Sequence, residues 1–252
     1  MKRVRATDDQ RTFWADVDSD NQDTLHVCDM FGERTGEQVK RSEIQLLAPC
    51  EPRNIICVGK NYAKHIKEMG GSDLPKEPGL FIKALNTLNH PSEPIIYPSW
   101  TENLHYEGEL ALVIGKTLSK VAEEDALDHV LGYTCAIDVT ARDKQRSDLQ
   151  WARGKSADGF CPLGSELETE LDPAHVSVQT HVNGELKQDG NTEDLIFPVP
   201  VILSYISQFM TLTPGDLVLT GTPDGVGPLQ VGDTITVTIE GVGTLERQVV
   251  AA

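Results

Sequence analysis

The chain has 252 residues, of which 39% are hydrophobic and 24% are charged. Its 39 Asp and Glu residues against 22 Lys and Arg residues give a formal net charge of −17. This composition is typical of a globular protein with a substantial core, and the length excludes a mini-protein held together by metal or disulfide staples. Because so acidic a surface repels phosphate backbones and anionic lipid, the charge argues against a nucleic-acid or membrane-surface role.

The five cysteines are an odd number and form no C-x-x-C pair. This arrangement argues against a disulfide framework and a zinc-thiolate site, and we expect reduced, mostly buried thiols. The N-terminal residues lack an apolar signal core, and no apolar run approaches the roughly 20 residues that a membrane-spanning helix needs. We therefore expect a cytoplasmic protein.

Residues 1–48 contain short apolar bursts separated by Asp, Asn and Gly clusters, a pattern typical of short strands joined by turns. The segment Leu47–Pro52 carries two prolines and is predicted to be a linker. We therefore expect a small β-rich N-terminal domain over residues 1–48 and a second domain over residues 53–252.

Strands are predicted to dominate after Ile55. The apolar run Leu110–Ile114 is short and bounded by glycines, which favours a buried strand. Strict alternation over Thr234–Ile239, a glycine-containing turn and then Thr244–Val249 predict a half-buried antiparallel hairpin.

Two segments have helical signals. Residues 201–210 follow a Pro-Val-Pro entry and place Ile202, Ile206 and Phe209 on one stripe, as in a core or subunit-interface helix. The second helix is predicted over residues 61–69, with Asn61 as its N-cap and Gly70–Gly71 after its end.

Three carboxylates are candidates for a metal site. Glu107 and Glu109 flank one residue at the start of a predicted strand, so they point to the same face and repel each other unless a hard cation lies between them. The alternative for such a pair is a solvated polar face. Asp138 ends another apolar strand, needs a partner if buried, and offers a third oxygen ligand. Arg142 and Asp143 are predicted to form a local ion pair.

Several other residues have patterns that suit chemistry. Lys155 lies among small residues and could neutralise a substrate carboxylate or a developing enolate, although most exposed lysines have no such role. The glycine-rich residues 220–227 could present N–H groups to a carboxylate, and they lack the Gly-Lys-Ser/Thr of a nucleotide P-loop.

His65 and Glu68 lie three residues apart on a predicted helix, where the carboxylate can orient the imidazole to take a proton from water. A surface pair without catalytic role is the alternative. The glycines and prolines over residues 70–78 predict a mobile segment that could close over a site.

Six blocks together resemble the fumarylacetoacetate hydrolase family: residues 61–69, 81–83, 105–110, 132–143, 154–158 and 220–227. The resemblance extends from Arg53 to the C-terminus. It is closest to the small members, namely acylpyruvate hydrolases, oxaloacetate decarboxylases and the isomerase/decarboxylase of homoprotocatechuate breakdown. It implies a mainly β, α+β fold with a mixed β-sandwich roll, a homodimer, and one Mg²⁺ or Mn²⁺ in each subunit.

The resemblance also implies roles for individual residues. The metal ligands map onto Glu107, Glu109 and Asp138; the catalytic positions map onto His65, Glu68 and Lys155; the substrate contacts map onto Tyr62, Gln145 and Thr222. Two departures from the pattern are Ala84 and Ser165, where proline is expected. Both are expected in loops that shape the pocket, so they bear on the choice of substrate.

The implied function is Mg²⁺- or Mn²⁺-dependent cleavage of a C–C bond in a small-molecule 2-oxo acid through a metal-stabilised enolate. Hydrolysis of an acylpyruvate is slightly favoured because the His–Glu pair is present, and decarboxylation of oxaloacetate needs no water. The alternative is isomerisation or decarboxylation of a hydroxymuconate-type dicarboxylate, such as 2-hydroxyhepta-2,4-diene-1,7-dioate. A non-catalytic ligand-binding protein would show erosion of the carboxylates or the pair, and neither is eroded.

Overall fold

The computed structural model describes residues 1–252. Its elements are mainly strands, which confirms the predicted fold class. The strands, in chain order, are β1 (Lys2–Thr7), β2 (Thr12–Val17), β3 (Thr24–Cys28), β4 (Arg34–Lys40), β5 (Gln45–Leu47), β6 (Ile55–Gly59), β7 (Gly79–Lys83), β8 (Leu88–Asn89), β9 (Ile95–Tyr97), β10 (Leu104–Tyr106), β11 (Gly108–Ile114), β12 (Val130–Ile137), β13 (Thr140–Ala141), β14 (Cys161–Pro162), β15 (Glu166–Glu168), β16 (Ser177–Val182), β17 (Glu185–Asn191), β18 (Leu217–Leu219), β19 (Gly227–Pro228), β20 (Thr234–Ile239) and β21 (Gly243–Ala251).

The helices are short. The α-helices are α1 (Ala63–Glu68), α2 (Arg142–Ser147), α3 (Ala152–Lys155) and α4 (Val199–Ser207), and 3₁₀ turns lie at Arg41–Glu43, Leu85–Thr87, Glu123–His129 and Thr192–Asp194. None of the helices has the length and apolar composition that a membrane crossing requires.

Two sheets form the body of the molecule. The large sheet has the strand order β4-β3-β2-β1-β15-β12-β11-β18-β6-β7, with β5 paired to β1, and the five-stranded sheet has the order β17-β16-β20-β21-β9. Apolar residues of β11 and β12 pack with those of β16, β20 and β21 in the main core, so the two sheets face each other. The opposite face of the large sheet buries a second cluster, which includes Cys57 and Cys161.

The predicted strands are confirmed. Every residue of β11 is buried, and β20 pairs antiparallel with β21 as the predicted hairpin. All five cysteines are free and buried, as expected. The N-terminal strands β1–β4 continue the large sheet through β15 and enclose an apolar cluster of their own. The division into domains at residues 1–48 and 53–252 stays a prediction.

Two details of the predicted helices are wrong. Asn61 does not cap α1: its side chain is buried, donates to the carbonyls of Phe197 and Thr220, and accepts from the Phe197 N–H. It therefore joins the chain before α1 to two distant segments. Phe209 lies beyond the end of α4 and is 62% exposed, because the helix ends at Ser207, whereas Ile202 and Ile206 are buried as predicted.

Candidate active site

The register of two neighbouring strands brings the three candidate metal ligands together. In the antiparallel pair β11–β12, Gly108 lies opposite Ile137, and one residue further Asp138 donates its N–H to the Glu107 carbonyl at 2.8 Å. Glu109 shares a face with Glu107 because side chains alternate along a strand. One carboxylate oxygen from each of the three residues lies within 4.8 Å of the others, and all three side chains are buried. Sheet pairing therefore builds a compact acidic cluster.

Buried cations neutralise two of these carboxylates. Lys155 Nζ, on α3, lies 2.7 Å from Glu107 and 2.6 Å from Asp138. Lys83 Nζ lies 2.7 Å from Asp138 on its other side, and the Arg142 guanidinium contacts Glu107. Burial alone would raise the pKa of Glu107, but Lys155 and Arg142 outweigh it and hold that pKa below its usual range.

Glu109 differs from the other two carboxylates. It has no cationic side chain within ion-pair distance, and it accepts one hydrogen bond, from the Gly221 N–H at 2.7 Å. Burial, Asp138 and Glu107 together raise the pKa of Glu109 well above its usual range. A hard divalent cation among the three carboxylates would relieve this repulsion, and oxygen donors are the ligands that Mg²⁺ and Mn²⁺ prefer. The donor set therefore fits such a cation.

The predicted ion pair between Arg142 and Asp143 is wrong. Arg142 is buried and reaches Glu107 and the Gln145 side chain, the latter at 2.6 Å. Asp143 instead contacts Lys144 at 2.9 Å and accepts a hydrogen bond from Thr101. Arg142 is the first residue of α2, and successive residues of a helix point about 100° apart, so the two side chains diverge.

The acidic cluster opens into a cavity of about 350 Å³. Its inner wall is formed by the buried charged side chains Glu107, Glu109, Asp138, Arg142 and Lys155. Its outer wall is formed by Lys60, His65, Gly70–Gly71, Phe81, Arg146 and Trp151. The Phe81 and Trp151 rings meet edge to face at 5.4 Å, and Lys155 Nζ lies 4.9 Å from the Phe81 ring centre. The cavity therefore has a buried, charged inner wall and an outer wall on which aromatic rings lie beside cationic side chains.

The His–Glu pair lies on α1, where His65 faces the cavity. His65 Nδ1 is 3.3 Å from Glu68 Oε2, and the imidazole is almost completely buried. The second oxygen of Glu68 accepts the Gly225 N–H at 3.0 Å. Glu68 thus orients the ring through Nδ1 and is itself held by the glycine-rich loop, which leaves Nε2 available to accept a proton.

Comparison with known proteins identifies the family. The family model for the fumarylacetoacetate (FAA) hydrolase C-terminal region matches residues 54–250. The chain belongs to the fumarylacetoacetate hydrolase family. Within it, the chain is 43% identical over 222 residues to oxaloacetate tautomerase YisK from Bacillus subtilis, a match that covers 82% of this chain and 74% of the relative.

Two solved structures are also similar to this chain. The 2-hydroxyhepta-2,4-diene-1,7-dioate isomerase from Mycobacterium marinum has a TM-score of 0.89 and 40% identity, covering 100% of this chain and 98% of that one. The fumarylpyruvate hydrolase from Pseudomonas aeruginosa, in complex with Mn²⁺ and pyruvate, has a TM-score of 0.75 and 36% identity, covering 81% of this chain and 91% of that one. This fold therefore carries at least two different reactions.

Not every residue that the family pattern singled out lies in the cavity. Gln145 and Thr222 line it, whereas the buried Tyr62 does not and pairs with Leu195 in an isolated β-bridge. The two departures from the family pattern, Ala84 and Ser165, also lie outside the cavity lining. Neither departure therefore contacts the cavity directly, and their influence on the pocket outline stays a prediction.

Two residues of the site had no role in the sequence analysis. Lys83 closes the back of the cluster: besides Asp138, its ammonium reaches the carbonyls of Lys155 at 2.6 Å and Phe160 at 2.8 Å. Arg146, on α2 beyond Arg142, is exposed and lines the outer wall. The sequence contains one signal for Lys83, namely its position at the end of the mostly apolar run Gly79–Lys83. A lysine in such a strand is buried only when it has a partner.

Proposed function

We propose that the protein is a divalent-metal-dependent enzyme that cleaves a C–C bond in a 2-oxo acid, with hydrolysis of an acylpyruvate as the favoured reaction. The observation that carries this proposal is Glu109, a buried carboxylate without a cationic partner, in a cavity that is also lined by His65, the histidine of the His65–Glu68 pair. The first feature supports a metal, and the second supports activation of water.

Glu107, Glu109 and Asp138 would hold the cation. Mg²⁺ and Mn²⁺ both suit three carboxylates. When bound, such a cation withdraws electron density from the oxygens of a 2-oxo acid and so stabilises negative charge on them. The Mn²⁺ in the structure of the related fumarylpyruvate hydrolase supports this assignment.

The protein's own groups supply the remaining steps. His65, oriented by Glu68, takes a proton from a water molecule, which attacks the distal carbonyl of a 2,4-dioxo acid. The bond between that carbonyl carbon and C3 then breaks, and its electron pair moves onto C3 and the 2-oxo oxygen as an enolate. The Lys155 ammonium offsets this negative charge. His65 returns the proton that it took from water to C3, which yields pyruvate, and the distal fragment leaves as a carboxylic acid.

The outer wall supports an anionic substrate. Lys60 and Arg146 are exposed there in a chain of net charge −17, and neither forms an ion pair within the chain. Cationic side chains at a cavity attract anionic ligands even when the whole molecule is acidic. We therefore include dicarboxylates, with a second carboxylate towards the outer wall, among the proposed substrates.

A second candidate is isomerisation, tautomerisation or decarboxylation of a 2-oxo dicarboxylate. The similarity to an oxaloacetate tautomerase and to a 2-hydroxyhepta-2,4-diene-1,7-dioate isomerase favours it. In this version His65 moves a proton between C3 and solvent, and no water attacks the substrate. Loss of CO₂ from oxaloacetate would need neither the water nor the distal carbonyl.

One experiment separates the two candidates. The purified protein is stripped with a chelator, supplied with Mg²⁺ or Mn²⁺, and assayed on acetylpyruvate, oxaloacetate and a hydroxymuconate-type dienedioate. We expect loss of the acetylpyruvate absorbance to be at least tenfold faster with metal than with chelator. Background rates on acetylpyruvate beside rapid enol–keto conversion or decay of a dicarboxylate would favour the second candidate instead.

We further propose a cytoplasmic homodimer. Sedimentation equilibrium should give twice the mass of the chain, and a monomer at micromolar concentration would contradict the dimer. Fractionation of the source cells tests the location.

A further inference from the structure

Gln188 lies outside the cavity and is unusual in its strand. It is the one buried residue of β17, whose other positions are exposed or half-buried. A buried side-chain amide is unfavourable unless its donors and acceptor are satisfied. The hydrogen-bond partners of the Gln188 amide therefore show which parts of the chain it holds in place.

The amide of Gln188 closes a ring of hydrogen bonds around Gly108, the residue between Glu107 and Glu109. Gln188 Oε1 accepts the Gly108 N–H at 2.9 Å, and Gln188 Nε2 donates to Thr222 Oγ1 at 2.7 Å. Thr222 Oγ1 donates in turn to the Gly108 carbonyl at 2.9 Å. The ring therefore holds both peptide groups that join the two glutamates, and with them the directions of their side chains.

The same amide anchors the glycine-rich loop. Its second N–H is donated to the Pro223 carbonyl at 2.9 Å. Two residues before Pro223, the Gly221 N–H reaches Glu109, and two residues after it, the Gly225 N–H reaches Glu68. The loop thus touches both the acidic cluster and the His–Glu pair, and Gln188 holds its midpoint.

Strand β17 and the glycine-rich loop meet around Gln188, and close packing leaves this junction little room to adjust. A Cβ on Gly108 would lie 2.1 Å from Thr180 Oγ1, the residue opposite Gln188 on β16. A Cβ on Gly225, whose φ is +96°, would lie 1.9 Å from the Lys187 carbonyl. The strand and the loop are therefore in direct backbone contact, and a change in the amide is transmitted to both sides.

We propose that Gln188 is a positioning residue that sets the carboxylate cluster and the His65–Glu68 pair in one mutual geometry. It touches neither the cavity nor the carboxylates. It acts through Gly108 on Glu107 and Glu109, and through the Gly221–Gly225 loop on Glu68. This inference rests on the proposed function, in which both groups act on one substrate.

The first test replaces the amide by an apolar side chain of similar size. In Gln188→Leu we expect the Kd for Mn²⁺, measured by calorimetry, to rise about 10–100-fold, the usual effect of losing a group that orients metal ligands. At saturating Mn²⁺ we expect kcat to fall at least tenfold with KM changed less than threefold. Gln179→Leu is the matched control: this half-buried glutamine on the neighbouring strand bonds only Asp189, and its loss should leave both quantities unchanged.

The second test divides the two sides of the junction. Gln188→Glu keeps an acceptor for the Gly108 N–H but places an oxygen against the Pro223 carbonyl, which cannot donate. The Gln188 bond to Thr222 Oγ1 is lost with the one to Pro223, but the direct bond to the Gly108 N–H stays. We expect Mn²⁺ affinity within threefold of the wild type and a kcat at least tenfold lower, because both lost bonds hold the loop. This variant also decides the matter if Gln188→Leu fails to fold.

Either of two results would overturn the inference. One is a folded Gln188→Leu, or failing that Gln188→Glu, whose Mn²⁺ affinity and kcat stay within threefold of the wild type. The other is a variant that melts earlier but keeps both quantities at low temperature, which would make Gln188 a stability residue only. A wild type that takes up no Mn²⁺ would instead refute the proposed metal site itself, and the inference with it.

Discussion

The two walls of the cavity are built in different ways. On the inner wall, strand register and buried ion pairs fix each charged side chain, none more than 5% exposed. The outer wall instead carries exposed cations: Arg146 lies on the short helix α2, and Lys60 lies in the loop between β6 and α1. The comparison leads us to expect that changes on the inner wall affect the proposed metal site and activity as a whole, whereas changes of the exposed cations on the outer wall affect substrate preference.

The largest expected effect comes from the inner wall. Replacing Glu107 by glutamine should lower the stability of the metal-free protein, whereas replacing Glu109 should raise it. Both Glu107→Gln and Glu109→Gln should abolish activity. Glu107→Gln leaves Lys155 and Arg142 short of a buried partner, so we expect the free energy of unfolding to fall by about 3–5 kcal/mol. Its measurement is denaturant unfolding of the metal-free protein.

Glu109→Gln should raise the melting temperature of the metal-free protein at pH 7. Because its pKa is raised in the folded state, ionised Glu109 costs stability once the pH exceeds the usual pKa of a glutamate, and the amide removes that cost. The advantage should therefore disappear as the pH falls to 4. Two variants destabilised alike would contradict the difference between the two carboxylates.

A smaller loss of activity is expected where α1 meets the inner wall. His65→Asn should lower the hydrolytic kcat by about 10²–10⁴-fold, the usual contribution of a general base, with Mn²⁺ affinity unchanged within threefold. The chain offers a matched control in His175, an exposed histidine 3.2 Å from Glu193, where His175→Asn should change nothing. Full hydrolytic activity in His65→Asn would show that the pair does not activate water.

The outer wall should affect substrate preference alone. Arg146→Gln should raise KM about tenfold for a dicarboxylate and leave KM for acetylpyruvate unchanged, since an ionic hydrogen bond to the second carboxylate is lost. Lys144→Gln is the control on the same helix, because Lys144 pairs with Asp143 and does not line the cavity. An equal change for both substrates would remove this role for Arg146.

The smallest effect is expected at the cysteines. Burial raises the pKa of Cys161 to about 12 and that of Cys28 to about 11, so both thiols stay protonated at pH 8. We expect a disulfide reagent such as DTNB to modify no thiol of the folded protein within minutes and all five after unfolding. Rapid reaction of the folded protein would show that this part of the core opens readily.

Local sequence predicted the parts of the molecule that depend on alternation along a strand. The C-terminal hairpin and the buried β11 follow from a period of two, and the shared face of Glu107 and Glu109 follows from the same rule. Asp138 could be added because a carboxylate that ends a buried strand needs a partner. These features depend on near neighbours in the chain.

The features that sequence could not predict depend on distant contacts. Asn61 resembles a helix cap, but its partners at Phe197 and Thr220 lie far along the chain and hold it elsewhere. The partner of Arg142 is decided by how α2 meets β10 and β13, which no local pattern encodes. Lys83 and Gln188 acquire their partners only when the sheets and loops pack: the segment of Lys83 indicates at most that it needs a partner, and that of Gln188 indicates nothing.

The central claim is that the three carboxylates of the inner wall bind one divalent cation. Calorimetric titration of the chelator-treated protein with Mn²⁺ tests it directly, with Glu109→Gln measured in parallel as a folded control. The account predicts one Mn²⁺ per chain for the wild type and no detectable binding for the variant. No uptake by the wild type, or equal uptake by both proteins, would contradict it.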